Sequence, residues 1–257
     1  MKILIITDIH YGEDTDYSKH LDKEYISSFG SQFKEYLPKI KVLIKEHDLT
    51  INLGDLINET NTESDLIQYK KAIELFGKEK PIKHVLGNHE LRTLSRNQLV
   101  EILGEKKPYY SFDLNNYHHV VLDSFRNSRE ESTKIEKEQL DWLQEDLKNT
   151  NLLTIIYCHY ALDNQSIDSN YYFKGKPQKV FIENKEEVRK VFEDSGKVIA
   201  VFGGHLHFFN QESINGIKYI TAPAFTENDG NHKPKAECLS IELSDKKVIT
   251  TVVKIKL

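Results

Sequence analysis

The chain has 257 residues, 39% of them hydrophobic, with 35 Lys and Arg against 40 Asp and Glu and a formal net charge of −5 at pH 7. That charge excludes a generally basic nucleic-acid binder, the apolar content excludes a disordered chain, and the length allows one large core in a single domain over residues 1–257. Two cysteines, Cys158 and Cys238, are too few for a disulfide framework; both lie in apolar stretches and read as buried free thiols.

In chain order, short apolar runs predict strands near 2–7, 49–54, 82–86, 109–114, 117–123, 152–157 and 198–203, then 207–214, 217–222, 236–243 and 247–256. Apolar residues at helical spacing predict helices near 22–47, 63–77, 95–103, 135–148 and 184–195, the first bent or broken at Pro38. Asn215-Gly216 marks a hairpin turn, so the order opens as alternating strands and helices and closes as a β-meander. His118 and His119 fall inside a predicted strand and read as structural. No run reaches transmembrane length, and the apolar start is too short for a signal peptide, so a cytoplasmic protein without a membrane partner is expected.

Five of the predicted strands end alike. Ile3 to Thr7 runs into Asp8 and His10; Leu49 to Leu53 into Gly54-Asp55; Ile82 to Leu86 into Gly87-Asn88-His89-Glu90. Leu152 to Ile156 leads through Tyr157-Cys158 to His159, and Val198 to Phe202 leads through two glycines to His205-Leu206-His207. Each block alone has an ordinary reading, Asp55 as a helix cap and His159 as a core histidine. Together they put donors at the carboxyl ends of five strands, where α/β sheets gather ligands. Gly87 is expected to provide a tight turn, with Asn88 and His89 leaving the strand in opposite directions.

The donors are two carboxylates (Asp8, Asp55), one amide oxygen (Asn88) and four imidazoles (His10, His159, His205, His207). One ion cannot use them all, whereas two ions sharing a bridge can. Mixed nitrogen and oxygen donors without thiolate suit manganese, iron, zinc or cobalt. Two divalent ions beside only two carboxylates leave a positive centre that a hydroxide and an anionic phosphate would complete. Ion pairs roughly 3.5–4 Å apart activate water and clamp both oxygens in phosphoryl displacement.

The five blocks resemble the calcineurin-like metallophosphoesterase superfamily, in particular its small phosphodiesterase-type branch. The superfamily pattern is Asp-x-His, Gly-Asp, Gly-Asn-His-Asp/Glu, His and Gly-His-x-His, and all of it is present in order between residues 8 and 207. Glu90 stands where many members have Asp. The resemblance implies an α/β fold, a four-layer α/β/β/α sandwich of two mixed sheets flanked by helices. It implies Asp8, His10 and His207 on a first metal, Asn88, His159 and His205 on a second, and Asp55 bridging them. It further implies that His89 faces the substrate and protonates the leaving oxygen, that Glu90 orients that ring, and that a metal-held hydroxide attacks.

Two irregular stretches, 11–21 and 160–180, follow ligand blocks, as specificity loops often do. Tyr160, Tyr171, Tyr172 and Phe173 could stack on a base or aryl group, although packing of the loop onto its own domain is the preferred reading. Arg92 and Arg96 could fork onto a second phosphate, or simply cover a helix start. The expected activity is a dimetal phosphodiesterase or diphosphatase on a small nucleotide-type phosphorylated substrate. A phosphomonoesterase is the alternative. A nuclease fits less well, since no basic stripe is present and nucleic acid is not an expected partner; a non-catalytic scaffold would have eroded ligands, and none is eroded.

Overall fold

The computed structural model describes residues 1–16, 27–77, 80–124 and 133–257. One sheet runs in the order β13 (Lys247–Lys254), β12 (Glu237–Ser244), β1 (Lys2–Ile6), β4 (Leu49–Asn52), β5 (Ile82–His84). The other runs β10 (Asn210–Ile214), β11 (Ile217–Thr221), β9 (Val198–Gly203), β8 (Leu153–Tyr157), β7 (Tyr117–Val121), β6 (Tyr110–Leu114). A short pair, β2 (Thr15–Asp16) and β3 (Ser27–Ser28), stands apart. The helices are α1 (Phe33–Glu46), α2 (Thr62–Phe76), α3 (Asn88–Thr93), α4 (Arg96–Leu103), α5 (Lys137–Asn149) and α6 (Lys185–Ser195).

The layering follows from alternation along buried strands. In β1, Ile3 and Ile5 join a core shared with Ile155, Tyr157 and Phe202 of the second sheet, whereas Leu4 and Ile6 pack with Phe33, Ile40, Tyr69 and Phe76 from α1 and α2. In β8, Ile155 and Tyr157 face the first sheet, while Ile156 packs with Leu140, Leu143, Val188 and Phe192 of α5 and α6. Both faces of each sheet are therefore covered, which is why the central strands read as continuous apolar runs. The result is the four-layer α/β/β/α sandwich of two mixed sheets. Each fully buried aliphatic or aromatic side chain here contributes about 1.5–3 kcal/mol.

Within the first sheet β4, β1 and β5 are parallel, and within the second β7, β8, β9 and β11 are parallel. Backbone hydrogen bonds continue past the strand ends, from Leu53 N to Ile6 O, Asp8 N to Gly54 O and Gly204 N to His159 O. They hold the outgoing loops side by side. The two sheets meet there when His205 N donates to Asp8 Oδ2 at 3.1 Å.

Several boundaries differ from expectation. The first helix begins at Phe33 after a 3-10 turn over Gly30–Gln32, not at 22; residues 17–26 lie outside the described set. It runs unbroken through Pro38, whose missing N–H removes one intrahelical bond. Strand β5 ends at His84, and residues 88–93 form a short helix too brief to show a period. Strand β10 begins at Asn210 because Gly204 to Phe209 make the turn that presents the two histidines. Among the described residues, no helix is long and apolar enough to cross a membrane.

Candidate metal centre

All of the expected donors come to one place. Asp8, His10 and His207 place one donor atom each within 4.8 Å of one another, and so do Asp55, His159 and His205. Asp55 Oδ2 lies between the groups, 3.3 Å from His159 Nε2 and 3.9 Å from His10 Nε2. Asn88 Oδ1 is 3.3 Å from His159 Nε2. His207 Nε2 is 3.3 Å from Asp8 Oδ1. His89 forms a third group with His10 and Asp55, its Nε2 3.7 Å from Asp55 Oδ2.

The backbone is strained to achieve this. Asp8, His10, Asp55, His205 and His207 all sit in the left-handed region, with φ of 49°, 48°, 49°, 65° and 67°. Such residues cost on the order of 1 kcal/mol or more each, and persist where the surroundings over-determine them. Gly87 is required for space, not for its backbone angles. Its φ is −97°, but a Cβ there would lie 2.2 Å from Asp55 N and Oδ1. Gly204 has the same role, since its Cβ would meet Thr7 Oγ1 at 2.4 Å and Asp8 Oδ2 at 2.9 Å.

Each imidazole of the two main groups has one nitrogen committed to an acceptor. His10 Nδ1 donates to Asn58 Oδ1 (3.0 Å), His159 Nδ1 to Leu53 O (2.7 Å), His205 Nε2 to Lys179 O (2.8 Å) and His207 Nδ1 to Glu227 Oε1 (2.5 Å). The other nitrogen of each is left for the centre, the arrangement of metal-ligating histidines. His10 Nε2 is buried with no hydrogen-bond partner, and the buried Asp8 Oδ1 faces His207 Nε2. Electrostatics agrees. Burial raises the Asp8 carboxyl, but His207 and His159 more than offset this and hold it at about 2. Burial lowers His207 and His159, yet Asp8 and Glu227 push the first up to about 10, and Asp55 the second to about 9. Burial and neighbouring imidazoles hold His10 and His205 near 3, neutral with a free lone pair. Nitrogen and oxygen donors converge in two groups with Asp55 Oδ2 between them, and each ring of those groups turns one nitrogen inward. The donor set therefore fits two ions.

Above the donors is a cavity of about 200 Å³, lined by His10, Asp55, Asn88, His89 and Arg92 from segments that follow strands of the first sheet and by Tyr172, Phe173, His205 and His207 from segments that follow strands of the second. Asn88 and His89 do not leave a strand in opposite directions. They open helix α3 and both line the cavity, because Glu90 Oε1 folds back to accept from Gly87 N at 2.9 Å. Glu90 accordingly does not orient His89. It is fully buried, and burial and then Asp55 push its carboxyl up to about 8. The carboxylate on His89 Nδ1 is Glu59, which also binds Arg92 Nη1.

Sequence reasoning missed Glu59, Glu227 and Asn58. Glu59 and Asn58 had a weak signal, since they follow Gly54-Asp55-Leu56-Ile57 directly; Glu227 had none. Arg96 is spent on Asp123 at 2.5 Å, and His118 and His119 are structural, the former between Asp113 and Asp146.

Residues 1–209 match the family described as calcineurin-like phosphoesterase. The chain belongs to this family. As a calcineurin-like phosphoesterase it carries, among its described residues, His and Asp groups able to hold the family's metal pair. Its fold is similar to that of a dimetal phosphatase from Danio rerio, at 16% identity and a TM-score of 0.73, with 99% of each chain covered. It is also similar to purple acid phosphatase PPD1 of yellow lupin, at 13% identity and a TM-score of 0.66, covering 98% of this chain and 51% of that one. A third likeness is to the phosphopantetheinyl hydrolase of Mycobacterium tuberculosis, at 14% identity and a TM-score of 0.56, covering 87% and 89%. A comparison with curated proteins finds no match.

Proposed function

We propose that this phosphoesterase is a phosphodiesterase or diphosphatase of small nucleotide-type substrates, using two divalent transition metals of the manganese, iron or zinc type. The observation that carries the reading is the mixed chemistry of the cavity lining: a guanidinium, Arg92, together with the rings of Tyr172 and Phe173. At about 200 Å³ the cavity encloses a phosphoryl group and little more, so the remainder of a larger substrate lies against that lining. A second phosphate meets Arg92, and a planar base or ribose meets the rings.

Asp8, His10 and His207 would hold one ion and Asn88, His159 and His205 the other, with Asp55 between them. When bound, the pair supplies an activated water and neutralises the developing charge on the phosphoryl oxygens. His89 gives a proton to the leaving oxygen. Glu59 fixes His89 Nδ1, so that Nε2 is the atom turned towards the centre. Arg92, held by the same carboxylate, orients the substrate, and the aromatic wall restricts access of bulk water.

The test is turnover by Mn-loaded protein of an aryl diester, an aryl monoester, cyclic AMP and ADP-ribose. The diester and diphosphate substrates should have the higher kcat/KM, and Arg92→Met should raise KM for ADP-ribose far more than for the aryl monoester. A monoester preferred over all the others would establish the phosphomonoesterase instead.

A further inference from the structure

Glu227 lies outside the stretch that carries the family pattern, yet three donors converge on it. It is 2% exposed. Oε1 accepts from His207 Nδ1 at 2.5 Å and from the Tyr172 hydroxyl at 2.8 Å, and Oε2 accepts from the Tyr171 hydroxyl. The two tyrosine rings lie against each other, tilted by 48° with centroids 4.5 Å apart, and the Tyr172 ring meets the His207 ring edge-on at 5.1 Å. The same segment reaches the other histidine of the pair. Phe173 lies 4.7 Å from the His205 ring, and Lys179 O accepts from His205 Nε2 at 2.8 Å. The wall of the cavity and the histidines beneath it are thus one connected set of contacts.

We propose that Glu227 is a positioning residue that couples cation binding at His207 to closure of the Tyr171–Tyr172 wall, each stabilising the other. The inference rests on the metal reading above. A cation on His207 Nε2 fixes the ring in the orientation that directs Nδ1–H at Glu227 Oε1. The carboxylate is then held where both hydroxyls find it. If the wall opens, Glu227 loses two of its three donors in a dry site, and a buried charge left short of partners is unfavourable. Coupling of this kind is reciprocal by thermodynamic necessity. The wall that contacts substrate is consequently assembled in the loaded protein, and removing the tyrosine hydroxyls weakens cation binding although neither hydroxyl is a ligand.

The experiment measures Mn²⁺ affinity by equilibrium dialysis for the wild type, Glu227→Gln and the double variant Tyr171→Phe/Tyr172→Phe, with hydrogen exchange over residues 167–176 with and without Mn²⁺. Glu227→Gln should lose about 10–100-fold in affinity for the more weakly held ion, the usual effect of removing a histidine's carboxylate partner. The tyrosine variant keeps both rings and hence the packing, and should lose about fivefold or more. Mn²⁺ should slow exchange over 167–176 in the wild type and not in Glu227→Gln. Unchanged affinity in the tyrosine variant, or Mn²⁺ protection of the segment that persists in Glu227→Gln, would overturn the coupling while leaving the metal reading intact. A wild type that binds no Mn²⁺ would overturn both.

Discussion

The two rims of the cavity both carry a histidine held by a glutamate, and they differ in what surrounds the pair. On one rim His207 donates to Glu227, which is 2% exposed and takes two tyrosine hydroxyls as well. On the other, His89 meets Glu59, whose side chain is 24% exposed and shared with Arg92, itself 46% exposed. A ring locked by a buried, fully donated carboxylate is suited to remain a ligand through a catalytic cycle. A ring clamped by a solvent-reachable ion pair can pass a proton and recover it. On the proposed reading, the partners of the second nitrogen separate ligand from acid.

Asp55 reaches donors of both groups, His10 and His159, and its loss should exceed that of either histidine–glutamate pair. Oδ1 accepts from His89 N at 2.9 Å while Oδ2 stands between the two donor groups. Asp55→Asn keeps the volume and removes the charge. Activity on every substrate should fall by about 10⁴-fold, the several kcal/mol expected when the charge stabilisation supplied by a metal site is lost. Near-normal kcat with unchanged metal content would show that no bridge passes through it.

His89→Ala divides the rims directly. It should retain metal and fold, yet lose about 10²–10⁴-fold on a substrate with an alkyl or ribose leaving group and far less on a nitrophenyl ester. Equal losses on both would remove the proton-donor role. Loss of metal would place His89 with His207, and the distinction between the rims would fail. Glu59→Gln is the milder version. It should lower kcat about tenfold on the poor leaving group while metal affinity is unchanged, in contrast with Glu227→Gln.

Sequence reading reached the strand-end donors that the fold brings together because each is local. Asp8 and His10 follow one apolar run and Gly54-Asp55 another, whereas the four-layer arrangement was implied by the family resemblance and not by periodicity. What it could not reach is set by long-range approach. His89 and Glu59 are 30 residues apart, His207 and Glu227 are 20, and Tyr171 and Glu227 are 56. A single Glu in a polar stretch has no pattern to mark it, and its role exists only once loops from both sheets are folded together. Glu90 misled for the converse reason. It adjoins His89 in sequence, but at the third position of α3 a carboxylate turns back to the free N–H of Gly87. The start of α1 was placed too early because the residues before Phe33 are polar and aromatic enough to continue a helical spacing.

The smallest predicted effect uses a histidine far from the cavity. His118 has both ring nitrogens on carboxylates, Nδ1 to Asp113 Oδ1 at 2.6 Å and Nε2 to Asp146 Oδ2 at 2.8 Å, which leaves none for a metal. Burial lowers its affinity for the proton, and Asp146 and Asp113 more than offset that, so its pKa is raised above 6.5. The folded chain therefore holds the extra proton more tightly than the unfolded chain. The resulting stability is fully present below about pH 6.5 and is lost as pH rises through the raised folded value. Asp113 is 64% exposed, and water screens its share, which limits the contribution to less than about 1 kcal/mol. His118→Gln should accordingly lower the urea midpoint at about pH 5.5 and leave it nearly unchanged at about pH 9, with activity and metal content as in the wild type. An equal penalty at both pH values would mean that the ring acts through packing alone, and that nitrogen partners do not sort the histidines of this fold.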